Sequence, residues 1–455
     1  MTGNRWNQGG RWLAGPLAIL VTGLAMAGGW PREQAYMCGI LVLAAILWVT
    51  EALPLFVTSL MVIGAETILL ANPGGWSGFG FSGAGSMSFN GIISAAANPI
   101  LVLFFAGLVM AAAAVNQKVD QTMAAWLLRP FVAGRRSMLY GVMGVTALFS
   151  MWMSNTATTA FMLTLTMPLL AQLHPTDPYR KALLLAVPFA ANIGGLGTPI
   201  ASPPNAIALG YLQQVGIQMG FFEWMVFAVP LLVVLIAVLG WLLLRLFPSS
   251  IQVGEVFKLP KAKLSPRGMR VVVIFVITVI LWLSEGLHGL PAAVVALLPV
   301  VALLVDGAVS RSDINRLEWD VLLLIGGGLA LGYGMGATGL DTRIVALLPV
   351  GQGAFVLVCV LVVATFVFST LISNSAVSNL ILPVGLAATV GQPHLLPVML
   401  AIALTASLAM GLPVSTPPNA MAYARGELKA GDMARAGIPI GLLGVILILL
   451  ATFLS

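Results

Sequence analysis

Charged side chains are scarce in this sequence. Only 8% of its 455 residues are charged, against 59% hydrophobic, and the mean hydropathy is +1.02. That scarcity excludes a soluble globular domain of this length, in which roughly a quarter of the residues carry charge. Cysteine is nearly missing too: Cys38 and Cys359 both lie in apolar runs, so no disulfide framework is implied. The three histidines, His174, His288 and His394, are scattered near loops and show no metal-ligand spacing. The apolar core holds no nucleophile–base pair, since His174 and Asp177 fall in a surface loop. The chain is therefore expected to be neither an enzyme nor a cofactor protein. The net charge of +6 is dispersed over loops, which argues against a nucleic-acid partner.

What the sequence does have is apolar run after apolar run. Stretches of about 17 to 25 residues are long enough to cross a bilayer core of roughly 30 Å as helix. They read as spans at about 12–29, 35–51, 54–72, 97–115, 182–212, 222–247, 270–286, 290–306, 320–338, 393–423 and 434–454. Two further apolar stretches lie at about 137–173 and 352–390. The fold class is thus an all-α polytopic membrane protein with about eleven transmembrane helices plus two hairpins.

Charge sets the orientation. Let the N-terminus be cytoplasmic and let each of the two extra stretches enter and leave on one side. Then every Lys and Arg except Arg32 and Arg343 is cytoplasmic, and the C-terminus is periplasmic or extracellular. A single crossing by 137–173 would turn the loop 245–270, with its six basic residues, outward. Two legs of about 17 residues rise roughly 25 Å each, slightly short of the hydrocarbon core. The polar run SNTATT lies at the midpoint of 137–173. A re-entrant hairpin with a polar tip at mid-membrane fits, because irregular backbone is tolerated there only when buried in protein or lining a wet cavity.

The chain repeats itself. SMWMSNT at 150–156 matches STLISNS at 369–375, and GTPIASPPNA at 197–206 matches GLPVSTPPNA at 411–420. The stretch 100–111 aligns more loosely with 321–332. Small-residue packing between membrane helices accounts for one such motif alone. It does not account for two motifs duplicated in order. Each copy holds five spans and a hairpin, so the second copy is inserted upside down. The expected organisation is an N-terminal span (1–34), a first inverted repeat (35–250), a basic cytoplasmic linker (251–269) and a second inverted repeat (270–455). The helices 182–212 and 393–423 are expected to be broken. Inverted repeats with discontinuous helices around a midplane site mark secondary transporters. Two pieces of mixed polarity, 119–136 and 340–353, link a span to each hairpin and suit helices lying along the membrane surface.

The polar tips carry no charge. Ser150 and Ser154 are four residues apart, on one face of a helix end. Carbonyl, hydroxyl and amide oxygens at such a tip suit a small hard cation, and free N–H groups at the next helix N-terminus suit an anion. Pro-Pro in GGLGTPIASPPN (194–205) and GLPVSTPPN (411–419) predicts unwound stretches whose carbonyls need partners. No Lys, Arg or His lies in either tip or break, and Glu66 stands alone in its span as a packed or cavity-facing residue. An anion bound here needs helix N-termini, hydroxyls, amides and co-bound sodium.

On SMWMSNTATTA, NIGGLGTPIASPPNAIALG, LISNSAVSNL and LPVSTPPNAMAYARGELKAGDM, the chain resembles the divalent anion/sodium symporter family, the INDY-type di- and tricarboxylate transporters. The resemblance implies a homodimer whose transport domains move like elevators, and the chain is expected in a bacterial inner membrane. It implies one sodium near Ser150, Ser154, Asn155 and the carbonyl of Ala201, and a second near Ser369, Ser373, Asn374 and the carbonyl of Ser415. Substrate carboxylates would lie near Asn155, Thr156, Asn374 and Ser375, with Pro203 and Pro417 on the wall. The second tip reads SNS where the family has SNT, which bears on substrate preference. Sodium-coupled import of a C4-dicarboxylate or related divalent anion (succinate, malate, fumarate or citrate) is the expected function. Sodium-coupled sulfate or other inorganic anion transport, and sodium-independent dicarboxylate exchange, are the alternatives.

Overall fold

The structure, a computed structural model, describes residues 5–77, 87–248, 263–349 and 353–454. Most of the expected basic linker, with Lys258 and Lys261, and the end of the second surface arm lie outside these residues. All regular structure among the described residues is helical. Runs of Leu, Ile, Val, Ala and Phe give that outcome because, without water, a helix satisfies its own backbone. Eight helices among the described residues are long and apolar enough to cross a membrane, and three shorter apolar ones lie at Leu55–Ala71, Ala292–Val305 and Leu395–Ser407. Large apolar side chains such as Trp12, Ile19 and Val305 point outward, as lipid-facing surface does.

The helices differ in how deeply they sit. Only 17% of Gly9–Ala27 is buried, whereas 67% of Trp319–Thr338 is. The second is rich in glycine, and its glycines are points of close approach. A Cβ at Gly327 would collide with Ser59, and one at Gly332 with Tyr211. Small residues let helices approach backbone to backbone where the bilayer supplies no hydrophobic drive. Glu66, fully buried, packs against Gly334 and Met37 beside this helix, where the chain passes into a short π-helix at Thr67–Ala71.

The two halves present the same series of elements. In the first, Phe89–Ala96 and Ile100–Asn116 lead into a short helix, Val119–Leu128. A hairpin follows, with legs Arg135–Ser150 and Asn155–Leu170. Next come a broken span, Tyr179–Gly194 and Pro203–Gln214, and a long helix, Phe221–Leu246. In the second half the series is Trp319–Thr338, Leu340–Val345, a hairpin of Ala354–Leu371 and Asn374–Thr389, a broken span of Leu395–Ser407 and Pro417–Tyr423, and Ala430–Leu454.

Two details differ from the sequence expectation. The unwound stretches do not include the PPN triplets: helix resumes at Pro203 and at Pro417, so each triplet forms a first helical turn. Proline suits that position because its missing N–H has no partner there and its φ is already helical. The second hairpin's first leg, Ala354–Leu371, is 18 residues and is itself long enough to cross, unlike the 16-residue legs of the first hairpin.

Ion pairs tie the broken spans together at one end. Arg180, at the start of the first, makes a two-pronged pair with Glu427 beyond the second, at 2.7 and 3.0 Å. Its neighbour Lys181 pairs with Asp432 at 2.9 Å.

Candidate functional site

Each hairpin tip and each break brings one helix C-terminus against the next helix N-terminus. Residues at all four of the new N-termini, 154–156, 202–204, 373–375 and 416–418, line a single cavity of about 460 Å³. The helix dipole makes each of these ends partly positive; free N–H groups add to it at the two tips, whereas the paired prolines at the two breaks have none. The cavity wall contains no Lys, Arg or His among the described residues; its two charged residues are Glu51 and Glu318.

The structure brings the residues singled out from the sequence together. Asn155, Thr156, Asn374, Ser375, Pro203, Pro417, Ser154, Ala201, Ser373 and Ser415 all line this cavity. Ser150 and Ser369 lie behind it, each fully buried.

The two tips are built alike but are not equally satisfied. At the first, the Ser150 hydroxyl is 2.7 Å from both Asn155 Oδ1 and the Ala191 carbonyl, and Ser154 caps the second leg by accepting from the Ala157 N–H. At the second, the Ser369 hydroxyl and Asn374 Oδ1 are buried with no partner, and Ser373 makes no side-chain cap. A buried polar atom without a partner is costly, and both of these belong to the second tip. Both are oxygens, as a hard cation requires. Among the described residues no group of three or more His, Cys, Asp or Glu comes together. The donors that either tip offers a cation are neutral oxygens.

The breaks hold the tips in register. Thr198 donates to the Met151 carbonyl at the first tip, and Ser415 donates to the Thr370 carbonyl at the second, at 2.9 Å. Gly194 and Gly195 are what let the first tip seat on its break. A Cβ on Gly194 would come within 2.6 Å of the Ala147 carbonyl oxygen, and one on Gly195 within 2.6 Å of the Asn155 amide.

Five residues of this site are not singled out by sequence reasoning. Asn205 donates to the carbonyls of Gly195 and Thr198, at 2.9 and 2.8 Å. Asn419 repeats this with Met410 and Leu412, at 2.7 and 2.9 Å. Both asparagines are fully buried. Their duplication within PPN is the available signal, overshadowed by the two prolines beside them. Asn192 reaches across to Thr416 and Asn419 and has no counterpart in the second half, where Ala406 stands at the matching offset. Glu51 and Glu318 carry no motif. Desolvation by the surrounding protein raises the Glu318 carboxyl above its ordinary value near 4.5, a hydrogen bond from Ser154 lowers it, and Asp320 raises it.

Paired hairpins and interrupted helices around one polar cavity define a helical secondary-transporter architecture. A family model described as citrate transporter (CitMHS) matches residues 45–403, and the chain belongs to that family. It is 30% identical over 446 residues to an uncharacterized transporter of Haemophilus influenzae, covering 92% of this chain and 91% of that one. It is also 30% identical over 485 residues to the sodium-dependent dicarboxylate transporter SdcS of Staphylococcus aureus, covering 97% and 90%. A 29% identical relative, the inorganic phosphate transporter PHO87 of Saccharomyces cerevisiae, is matched over 89% of this chain but 45% of its own length. Among solved structures, the YdaH transporter of Alcanivorax borkumensis superimposes with a TM-score of 0.58 at 14% identity, over 90% of this chain and 97% of that one. MtrF of Neisseria gonorrhoeae does so with 0.54 at 13%, over 89% and 94%. At such identities the likeness shows the fold alone.

Proposed function

We propose that this transporter imports a C4-dicarboxylate or related divalent anion together with sodium, the two hairpins and broken spans moving as one body against the remaining helices. One observation carries the reading: four helix N-termini converge on a cavity whose wall has no basic side chain among the described residues. Helix ends, hydroxyls and amides orient an anion there, and bound cations supply the neutralising charge. The partnerless oxygens of Ser369 and Asn374 and the likeness to SdcS support sodium as that cation. In this reading Ser150, Ser154, Asn155 and the Ala201 carbonyl hold one sodium, and Ser369, Ser373, Asn374 and the Ser415 carbonyl the other. Thr156 and Ser375 face the substrate with both asparagines, and Pro203 and Pro417 form the wall. Glu51 and Glu318 lie at span ends that the charge distribution makes cytoplasmic, so the cavity opens inward. The working form is a homodimer in a bacterial inner membrane.

A smaller oxyanion is the second reading. The PHO87 relative favours it. Thermal unfolding in detergent separates the two. Succinate should raise the midpoint in sodium and not in potassium; the same behaviour with sulfate or phosphate, and none with succinate, selects the second reading.

A further inference from the structure

One polar contact crosses from the first tip to the glycine-rich span. The Ser154 hydroxyl donates to Glu318 Oε1 at 3.3 Å, between residues 164 positions apart. Ser154 stands in the moving part of the proposed carrier. Glu318 immediately precedes Trp319–Thr338, which packs on Leu55–Glu66 and Phe89–Ala96 in the part that stays. Glu318 makes no ion pair among the described residues, and its side chain is open to the cavity. A carboxylate of the protein therefore occupies the edge of the space meant for a substrate carboxylate, next to Asn155 and Thr156. It sits against a hydroxyl assigned to the first sodium.

A sodium-coupled carrier must move when it is empty and when it is fully loaded. It must stay still when it holds sodium alone, or it dissipates the gradient. Sodium at the first tip attracts Glu318 and strengthens the contact between tip and glycine-rich span. A dianion arriving at Asn155 and Thr156 neutralises the sodium and repels Glu318, since like charges at that spacing oppose one another. An empty tip keeps only the hydrogen bond from the Ser154 hydroxyl, which at 3.3 Å is long for a bond to a carboxylate and correspondingly weak.

Resting on the sodium-and-dicarboxylate reading above, we infer that Glu318 is a positioning residue for coupling: it stands in for the substrate carboxylate, holds the sodium-loaded tip in place, and is displaced when the substrate binds. One side chain thus serves as both a latch and a built-in competitor.

The test compares the full-length wild type with Glu318→Gln and Glu318→Asp in proteoliposomes. Two fluxes are read: uptake of radioactive sodium with no dicarboxylate present, and succinate uptake driven by sodium. Wild type should pass sodium only with succinate. Glu318→Gln keeps the shape and loses the charge, so its sodium flux without succinate should rise roughly tenfold, the scale of an ordinary coupling free energy. Its succinate KM should fall while kcat holds, because the competitor is gone. Glu318→Asp, which keeps the charge, should restore tight coupling in part. A merely structural role would lower succinate uptake and leave the sodium flux without succinate at the wild-type level. If wild type is sodium-coupled and Glu318→Gln is as tightly coupled with the same KM, the inference is wrong and the functional reading stands. If wild type takes up succinate indifferently to sodium, that reading fails and the inference falls with it.

Discussion

Asn192 and Asn419 are joined by a 3.2 Å hydrogen bond between two broken spans that lie 227 residues apart in sequence. Asn419 in turn holds the carbonyls of Met410 and Leu412, so one fully buried asparagine ties its own break to the facing span. The walls of the cavity are thus fixed by amides.

Removing that amide should loosen the site from behind. Asn419→Ala and Asn205→Ala each strip partners from two break carbonyls, at a cost of about 2–4 kcal/mol for buried groups left unpaired. Both variants should melt lower in detergent than wild type. Asn192→Ala removes two inter-span hydrogen bonds but leaves the break carbonyls paired, and should cost less than either. Equal midpoints for all four proteins would contradict the role of the amides.

Gly195→Ala should injure ion binding more than folding. Its backbone is ordinary αR, so alanine strains nothing, but the new methyl would fall within 2.6 Å of the Asn155 amide. The sodium concentration for half-maximal transport should rise about tenfold, a change of about 1.4 kcal/mol. Gly144→Ala, in the first leg of the same hairpin with open space around it, is the matched control and should leave sodium dependence unchanged.

The two tips should respond differently to loss of their deep serine. Ser150 already has two partners within 2.7 Å, so Ser150→Ala should lower stability with or without sodium. Ser369 has none, so Ser369→Ala should cost little in potassium. In sodium it should lose stabilisation that wild type gains by ligand linkage. Midpoints measured in each salt check both statements; a large loss for Ser369→Ala in potassium would show that its hydroxyl is structural.

Asp120, buried in the short helix between span and hairpin, gives a pH dependence. Desolvation pushes its carboxyl from 3.8 up to about 6, against a hydrogen bond from the Gln121 N–H. The folded protein then holds a proton more tightly than the unfolded chain. Stability from this group is greatest below pH 3.8 and is lost as pH rises toward 6, so at neutral pH the buried charge costs roughly 1–3 kcal/mol. Asp120→Asn should melt higher than wild type at pH 7.5, and the gap should narrow by pH 4.5 and close only below pH 3.8. A gap independent of pH would show that the carboxylate is compensated.

Much of the frame is visible in the residues themselves. The recurrence of S-x-x-x-S-N and PPN marks both tips and both breaks, because polar groups inside an apolar stretch are costly unless they meet partners or a ligand. Helix boundaries at the breaks are less visible. Proline reads as an interruption, yet Pro203 and Pro417 open helices, and the preceding residues carry the irregular backbone. Contacts between distant elements leave no trace in any local pattern. Glu318 is an ordinary residue before a span until the fold sets it 3.3 Å from Ser154. The pairing of Arg180 with Glu427 likewise exists only after two halves have packed.

The central claim is that a cavity without basic residues binds its anion through sodium. Uptake of labelled succinate into proteoliposomes, driven by an inward sodium gradient or by potassium in its place, tests it most directly. The account predicts uptake in sodium alone, competed by unlabelled malate and fumarate and abolished by Asn155→Ala and by Asn374→Ala. Equal uptake in potassium, or sodium-driven uptake surviving in both asparagine variants, would contradict it.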